Sequence, residues 1–469
     1  MWIPILVAGM MVWVAIVSVM IVLQRRSAAA TIAWLLALMF LPIIGLVVYR
    51  LIGPLRLERK KLRRSANRKV VARALAALAK LDEDALEHLQ LAMVAMELGE
   101  ASPLPAEDVQ VYLDGASAYE AILAAVAAAT HHVHLEYYIW EPDTIGTRLR
   151  DLLIERARAG LAVRMVVDAT GSNRLSRRFL APLRAAGVQI AWFNPIRLRS
   201  LRLRRPDFRT HRKIIVCDGR VAFTGGMNIT DLHSAKLSPA YWRDTHMRIV
   251  GAAVWPLQRI FIEDLYFATD ALCPVDAGTF PRLPGGGDHL VQIVGSGPDS
   301  DAFAIHKVLF TAINQSTERL WLTTPYFVPD EALLAALITA GLRDVDVRLI
   351  VPKQGDSRLV DLAARSYFPE LVAAGVKVYE YEARFIHAKT IVCDDDVAVI
   401  GTANLDNRSF RLNFEVAAVA YGPQVNATLA DAFLADLAES RELTRAALER
   451  QPLRRRLGQA MARLISPLL

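Results

Sequence analysis

The chain repeats its own sequence, and this duplication constrains its fold more than any other feature. The segment 160–168, GLAVRMVVD, matches 344–352, DVDVRLIVP, and the segment 221–229, VAFTGGMNI, matches 397–405, VAVIGTANL. The matches keep the same order in both copies, and a Pro- and Gly-rich stretch separates the copies at 280–289. A repeated supersecondary unit of this kind predicts one fold used twice, with the two copies packed together.

Each copy alternates short β-branched runs with Ala- and Leu-rich stretches of helical length. Examples of the helical stretches are LRDLLIERARAG at 149–160 and DEALLAALITAG at 330–341. Strands that alternate with helices are typical of α/β units. We therefore expect two α/β lobes related by a pseudo-two-fold axis.

Each copy also carries a histidine, a lysine and an aspartate at the same spacing, within THRKIIVCDG and IHAKTIVCDD. The six residues are His211, Lys213, Asp218, His387, Lys389 and Asp394. Residues two apart on a strand face the same side, so each histidine projects together with its lysine. The aspartates complete the candidate catalytic motif, but their place at a strand end favours bonding to the turn. One such match would be weak evidence, whereas two at corresponding places in a repeat are hard to attribute to chance.

A single site shared by the two copies would explain the doubled motif. Two lysines can neutralise the oxygens of one phosphodiester. One neutral imidazole can attack phosphorus while the other, protonated, donates to the leaving oxygen, and an incoming hydroxyl can then displace the phosphohistidine. Fixed cations make a metal or a cofactor unnecessary, so we expect neither. The residues alone do not decide which histidine attacks.

Two carboxylates are candidates for orienting the imidazoles, because a catalytic histidine usually has its second ring nitrogen held by an acceptor. Asp244 in YWRD follows the histidine of its own copy by 33 residues, and Glu415 in LNFE follows its own by 28.

Three further residues are candidates for contacting substrate. Asn228 in GGMN and Asn404 in GTAN can donate to phosphate oxygens, although either could equally satisfy a local turn. Glu136 in HVHLEYYIW shares a strand face with His134 and could line the pocket, and ordinary packing explains it equally well.

The N-terminus is apolar enough to predict a transmembrane hairpin. Residues 2–23 carry no charge, and a second apolar stretch covers 31–52, so each has roughly the 20 residues that a spanning helix needs. Two buried core helices are the alternative. Arg25 and Arg26 lie between the stretches, and six lysines and arginines follow at 56–64. The denser positive charge predicts a cytoplasmic position for the rest of the chain.

The net charge of +7 points to a partner that carries phosphate, either nucleic acid or an anionic lipid surface. An arginine-rich insertion at 194–209 in the first copy is either a solvated loop or a headgroup-binding loop. The final stretch, 452–469, predicts an amphipathic helix that lies on the membrane or docks on the protein. Cys217 and Cys393 are expected to be small buried apolar residues.

The doubled HxKxxxxD pattern with the following GG or GT and Asn resembles the phospholipase D superfamily. The wider pattern resembles bacterial cardiolipin synthases over nearly the whole chain; the segments that carry this likeness are HRKIIVCDGRVAFTGGMNITD, YWRDTHMRIVG, TPYFVPD, IHAKTIVCDDDVAVIGTANLDNRSFRLNFE, LISPLL and the N-terminal IAWLLALMFLPIIGLVVYRLIG. The chain departs from that pattern at NITDLHS, where an acidic and aromatic pair is expected after the asparagine. We expect this departure to affect the rim of the site.

The resemblance implies transphosphatidylation, in which two phosphatidylglycerol molecules give cardiolipin and glycerol at the bacterial inner membrane. It implies His211 as the nucleophile and His387 as the general acid and base. The partners are then lipids and a membrane rather than nucleic acid, and the oligomeric state stays open. A hydrolytic phospholipase D is the nearest alternative, and an inactive scaffold that binds anionic lipid is the alternative from another class.

The expected organisation has five parts. They are a transmembrane hairpin at 1–53, a basic helical connector at 54–105, a first phospholipase D-like lobe at 106–280, a second at 281–450 and a C-terminal amphipathic helix at 451–469.

Overall fold

The structure is a computed structural model, and it describes residues 2–23, 28–52, 90–195, 207–283, 286–300 and 302–466. Several sequence predictions lie outside these residues. They concern Arg25 and Arg26, the basic run at 56–64, most of the connector and positions 196–206 of the arginine-rich insertion.

The first half of the chain builds a seven-stranded sheet. In chain order, its strands and two short accessory strands are β1 (Leu104–Ala106), β2 (Asp108–Tyr112), β3 (His132–Tyr137), β4 (Ala162–Asp168), β5 (Gln189–Phe193), β6 (Arg209–Thr210), β7 (Lys213–Cys217), β8 (Val221–Gly225) and β9 (His246–Val250). The sheet order is β2-β9-β8-β7-β3-β4-β5. Strands β3, β4 and β5 are parallel, and the other neighbours are antiparallel.

The second half builds a sheet of the same design. Its strands are β10 (His289–Ser296), β11 (Arg319–Thr323), β12 (Phe327–Val328), β13 (Asp346–Pro352), β14 (Lys377–Tyr381), β15 (Thr390–Cys393), β16 (Val397–Gly401), β17 (Leu405–Asp406), β18 (Asn413–Tyr421) and β19 (Ser440–Glu442). The order β10-β18-β16-β15-β11-β13-β14 repeats that of the first sheet, with the same sense at every neighbour. The predicted pair of α/β lobes is therefore confirmed.

Helices alternate with the strands in both halves, and the N-terminal helices precede them. They are α1 (Trp2–Leu23), α2 (Ala28–Phe40), α3 (Pro42–Ile52), α4 (Gln90–Glu97), α5 (Gly115–Ala128), α6 (Thr144–Arg158), α7 (Arg177–Ala185), α8 (Trp255–Thr269), α9 (Ala304–Gln315), α10 (Glu331–Leu342), α11 (Arg358–Arg365), α12 (Phe368–Ala373), α13 (Asn407–Arg411), α14 (Pro423–Ala438), α15 (Arg445–Glu449) and α16 (Leu453–Leu464). Several begin after a side chain that accepts a hydrogen bond from the first turn, such as Asp114, Asp143 and Asp330.

The two sheets share an apolar core, and both lobes belong to one compact unit. Along β7, Ile214 and Val216 join residues of the second sheet such as Ile400 in one cluster. The alternate residues Ile215 and Cys217 join the cluster formed with α5, α6 and α7. Apolar burial on both faces explains why these strands are continuous apolar runs in the sequence. Cys217 and Cys393 are buried free thiols, as expected.

Asp218 and Asp394 fix equivalent turns at the ends of β7 and β15. Both adopt left-handed conformations, with φ of 56° and 45°. Each carboxylate accepts three backbone N–H groups at 2.7–3.2 Å, and the donors are Thr130, His131 and His132 for Asp218 and Thr317, Glu318 and Arg319 for Asp394. These bonds tie each motif strand to the start of its neighbouring strand, so the contacts of the aspartates are structural.

The N-terminal helices belong to a second compact unit. The predicted second apolar helix is divided into α2 and α3 at Leu41, because the residue before a proline disfavours helical geometry and Pro42 suits a helix start. Val17, Ile21, Leu38 and Tyr49 form a small buried cluster. Among the described residues, none of the helices combines the length and the apolarity needed to span a bilayer.

The described part of the predicted connector is helical only at α4. Its end is extended, because Leu104–Ala106 pairs with β10. The predicted boundaries between the five parts stay predictions.

Replacing Asp218 or Asp394 by alanine should lower the free energy of unfolding by roughly 2–4 kcal/mol, because three backbone donors lose their acceptor and alanine tolerates the left-handed conformation poorly. Thermal and denaturant unfolding of the full chain in detergent would measure this. The asparagine variants are the controls, since they keep one acceptor oxygen and tolerate the turn, and should lose less. Alanine variants as stable as the wild type would contradict this structural assignment.

Candidate active site

The two motif histidines meet because each motif segment pairs with the opposite lobe. Strand β6, just before His211, pairs in parallel with the start of β18, and the His211 N–H donates to the Phe414 carbonyl at 2.9 Å. In the other half Arg243 forms a parallel bridge with Ile386, and the His387 N–H donates to the Arg243 carbonyl at 2.7 Å. Both imidazoles therefore lie at the same interface between the lobes.

The orienting carboxylates are exchanged between the lobes. Nδ1 of His211 lies 3.1 Å from Oε2 of Glu415, which belongs to the second lobe. Nδ1 of His387 lies 2.6 Å from Oδ2 of Asp244, which belongs to the first. The sequence spacing placed each carboxylate after the histidine of its own copy, whereas the structure pairs it with the histidine of the other copy. Neither lobe alone thus holds a complete imidazole–carboxylate pair.

The acceptors around His211 determine its tautomer. Nδ1 faces both Glu415 Oε2 and the Thr402 carbonyl, the latter at 3.0 Å. Two acceptors require a hydrogen on Nδ1, so the neutral ring keeps its lone pair on Nε2. That nitrogen is the one available to attack an electrophile.

Strands β8 and β16 are equivalent, and each ends in a glycine. The next residue is Gly226 in the first copy and Thr402 in the second, and their surroundings explain the difference. A Cβ atom at Gly226 would lie 2.0 Å from Oδ1 of Asp244, so this position has no room for a side chain. The equivalent Thr402 instead donates its hydroxyl to Glu415 Oε2 at 2.5 Å. The Asp244 carboxylate thus occupies the space that a side chain at position 226 would fill, whereas the Glu415 carboxylate is held by the hydrogen bond from Thr402.

The two motif lysines are buried beside the imidazoles. Lys213 Nζ donates to the His211 carbonyl at 2.8 Å, and Lys389 Nζ to the His387 carbonyl at 2.5 Å. Burial and then the charge of Lys389 lower the pKa of Lys213 to about 7, and burial lowers the pKa of Lys389 to about 8. Two ammonium groups that repel each other in a buried site create a demand for an anion.

Burial also keeps both imidazoles neutral. It lowers the pKa of His211, against the opposing influence of Glu415. Burial, together with the charges of Lys389 and Lys213, lowers the pKa of His387 well below its usual value. Burial raises the pKa of Glu415, but His211 and Lys213 outweigh this effect and hold it below the usual value. The carboxylate beside His211 is therefore ionised.

His233 is a site residue that the sequence reasoning missed. It is fully buried, its Nδ1 lies 3.5 Å from Asp244 Oδ2, and its ring centroid lies 5.6 Å from that of His387. Neither of its ring nitrogens has a hydrogen-bond partner among the described residues. Burial lowers the pKa of His233 to about 3, so this imidazole is neutral. The expectation that the NITDLHS departure affects only the rim is wrong, and that departure was the signal that could have identified His233.

Aromatic rings complete the walls around the imidazoles. The Tyr138 ring lies edge-on to His211, with centroids 4.9 Å apart. The rings of Trp242 and Phe385 lie 5.4 and 5.9 Å from His387. These rings place apolar surface beside both imidazoles.

The two asparagines and Glu136 occupy different surroundings. Asn228 accepts from the Ile139 N–H at 3.3 Å, whereas the buried Asn404 Oδ1 has no hydrogen-bond partner among the described residues. Glu136 accepts from the Thr210 hydroxyl at 2.5 Å. Burial and the neighbouring Asp264 carboxylate raise its pKa well above the usual value, which favours the protonated form. The structure thus brings Glu136 to the segment before His211 rather than to the imidazoles.

One trio of described residues has the ligand types for a metal ion. The candidate ligand atoms of His233, Asp244 and His387 lie within 4.8 Å of one another. However, Lys389 Nζ lies 3.1 Å from Nδ1 of His387. A dication at this place would meet that ammonium group at short range, so the arrangement does not favour a metal.

Replacing Lys213 by methionine should stabilise the protein by roughly 1–3 kcal/mol at low pH, because a buried ammonium is replaced by an apolar group of similar size. Below its folded pKa of about 7 the lysine is charged in both states, so its burial cost is fully present. Between that value and the unfolded value near 10.5, only the unfolded state keeps the proton, so wild-type stability rises with pH. The advantage of methionine should shrink across this window.

Denaturant unfolding of the full chain in phosphate-free buffer at several pH values would test this prediction. Lys236→Met at an exposed position is the matched control and should show no such trend. A methionine variant that is less stable than the wild type at every pH would contradict the electrostatic assignment.

Comparison with known proteins places these features in a family. A family model described as "Cardiolipin synthase, PLD-like domain" matches residues 122–235 and 309–437, and one described as "Phospholipase_D-nuclease N-terminal" matches 10–54. The chain is 40% identical to Cardiolipin synthase of Geobacillus kaustophilus (strain HTA426) and 36% identical to Cardiolipin synthase 1 of Bacillus anthracis, each over 97% of this chain and 92% of the relative.

A solved structure shares the fold. The phosphatidylserine synthase of Haemophilus influenzae Rd KW20 superposes with a TM-score of 0.60 at 14% identity, covering 81% of this chain and 100% of that chain. At this identity the likeness concerns the fold alone. The sequence matches extend over almost all of the chain, including both motif segments. This protein is therefore a member of the cardiolipin synthase family of phospholipase D-like proteins.

Proposed function

We propose that this protein is a cardiolipin synthase that transfers a phosphatidyl group from one phosphatidylglycerol to the glycerol hydroxyl of another and releases free glycerol. The observation that carries the proposal is the exchange of carboxylates between the lobes, which brings two oriented imidazoles to one interface. Two buried lysines at the same interface supply the charge that a phosphodiester neutralises.

In the first step His211 attacks the phosphorus of the donor lipid. Its Nε2 is free for this role because Nδ1 is held by Glu415 and the Thr402 carbonyl. The bond from phosphorus to the glycerol oxygen breaks, and His387 donates a proton to that oxygen. His387 is neutral in the protein alone, since burial and the lysines disfavour its charge. Entry of an anionic phosphodiester offsets the lysine charges and favours the imidazolium.

In the second step the acceptor lipid enters where glycerol left. His387 is now neutral and removes the proton from the acceptor hydroxyl, which attacks phosphorus and breaks the bond to His211. His211 is then free and neutral, His387 is again the imidazolium that it was with the donor lipid bound, and it returns its proton to solvent when cardiolipin leaves. Lys213 and Lys389 hold the phosphate oxygens while charge develops, so no step requires a metal.

The walls of the site favour a lipid alcohol over water in the second step. Tyr138, Trp242 and Phe385 surround the imidazoles with aromatic surface. A hydrolytic phospholipase D would use the same residues with water as the acceptor, so the products distinguish the two reactions.

We further propose that the N-terminal helices anchor the protein to the bacterial inner membrane, with the lobes in the cytoplasm. Large apolar side chains are exposed on these helices; among them are Met11, Val12, Leu23, Met39 and Phe40, each more than 60% exposed. The basic residues that follow the hairpin in sequence favour the cytoplasmic side. We also propose the boundaries of the lobes and the connector that the sequence predicts.

His211→Ala and His387→Ala should each reduce turnover by at least ~10³-fold, because both histidines serve one phosphorus. The assay supplies phosphatidylglycerol vesicles in EDTA and follows cardiolipin, phosphatidic acid and glycerol. The wild type should form cardiolipin and glycerol in equal amounts. Phosphatidic acid as the main product would indicate the hydrolase, and no wild-type turnover would indicate a scaffold. A single variant that keeps half of the activity would contradict a shared site.

Glu415→Gln and Asp244→Asn should each lower kcat by about 10²–10⁴-fold, because an amide can present the wrong group to Nδ1 and disturb the tautomer. The KM for phosphatidylglycerol should change little. Glu136→Gln is the matched control, since it alters a buried carboxyl that accepts from the Thr210 hydroxyl and not from an imidazole, and its kcat should stay close to wild type. Equal losses at all three positions would contradict the assignment of the orienting pair.

A further inference from the structure

The C-terminal helix α16 docks on the second lobe with one face. Gln459 and Ala462 are buried, and Ser466 just after the helix shares a hydrogen bond of 2.9 Å with the Tyr367 hydroxyl. The Arg463 guanidinium lies 4.3 Å from the centre of the Tyr367 ring. Of the two alternatives that the sequence left open for this helix, docking on the protein is confirmed, and it accounts for one side of the helix.

The opposite side of α16 is an exposed apolar stripe. Leu453, Leu457, Met461 and Leu464 are 78%, 61%, 58% and 73% exposed. At about 100° per residue, these four positions fall within an arc of roughly 80°, and the buried Gln459 and Ala462 fall on the far side. Leucine and methionine in a continuous stripe at this exposure indicate a surface that another apolar phase covers.

Positive charge flanks this stripe on both sides. Arg454 follows one edge of the arc and Arg456 the other, and both are exposed. The helix contains no acidic residue, and neither arginine has an ion-pair partner among the described residues. A helix with an apolar stripe between arginines complements a bilayer whose headgroups are anionic, because the stripe enters the acyl boundary while the cations meet phosphates.

We propose that α16 is a membrane-contact helix whose exposed stripe lies in the headgroup region of an anionic phospholipid bilayer. This inference rests on the proposed function only in its choice of membrane, since phosphatidylglycerol is both the substrate and an anionic lipid. It gives the second lobe its own attachment to the membrane, separate from the N-terminal helices.

Site-directed labelling of the full chain tests this proposal. The native thiols are buried, so a cysteine at Leu457→Cys can be labelled selectively with an environment-sensitive fluorophore. The control is Leu342→Cys, which replaces a leucine that is 69% exposed at the end of α10. The labelled protein is reconstituted in phosphatidylcholine vesicles with and without phosphatidylglycerol, and quenching by spin-labelled lipids is measured.

We expect quenching at position 457 to exceed that at 342 by at least ~3-fold in anionic vesicles, and to fall when phosphatidylglycerol is removed. Equal quenching at the two positions would overturn the proposal. Low quenching at position 457 that rises when fewer protein molecules are reconstituted per vesicle would also overturn the proposal. The stripe would then be covered by a second copy of the chain at high protein density.

Charge variants test the electrostatic part, with the label at 457. Arg454→Gln with Arg456→Gln should reduce the quenching by at least ~2-fold, whereas Arg177→Gln with Arg178→Gln, at two exposed arginines of α7, should not. Equal effects of both pairs would overturn the role of these arginines. The same labelling in the His211→Ala background should give unchanged quenching, so failure of the catalytic proposal and failure of this one are distinguishable.

Discussion

The structure depends on two hydrogen bonds that cross between the lobes, from His211 to Glu415 and from His387 to Asp244. Each bond orients an imidazole with a carboxylate from the other copy, so the duplicated unit is chemically complete only as a pair. The backbone supports this arrangement, because the chain around each histidine also pairs with the opposite lobe. The two halves thus form a single interface with two distinguishable histidines.

Burial is the second constraint, and it sets the protonation states. Two lysines without full solvation have pKa values of about 7 and 8, and neither motif histidine holds a proton easily. The charged forms of these side chains are therefore poorly stabilised by the protein alone, and a bound anion would stabilise them. In the proposed reaction a phosphodiester brings that charge, favours the ammonium and imidazolium forms and so creates the acid of the first step. We expect the burial of these lysines to cost stability and to favour an anionic substrate.

Much of the fold was predictable, because the duplication and the alternation of strands and helices are local patterns. The turn role of Asp218 and Asp394 followed from their position after a strand. The pairing of carboxylates did not, since spacing along the chain favours partners within a copy and only the packing of the lobes reveals the exchange. His233 was missed because a single histidine has no periodicity, and Glu136 was left open between pocket and packing because strand parity cannot tell which cluster a buried face joins. The division of the second apolar stretch into α2 and α3 depends on Pro42. The prediction of one helix gave more weight to the hydropathy of the stretch than to this proline.

The claim that both halves build one reaction centre can be tested by trapping the intermediate. Wild-type protein would be mixed rapidly with phosphatidylglycerol labelled at phosphorus, quenched in alkali to preserve phosphohistidine, digested and analysed by mass spectrometry. The account predicts at most one labelled histidine per chain, located at His211, with none at His387. Label on both histidines, or two labels per chain, would contradict it, because each motif would then act as a separate catalyst.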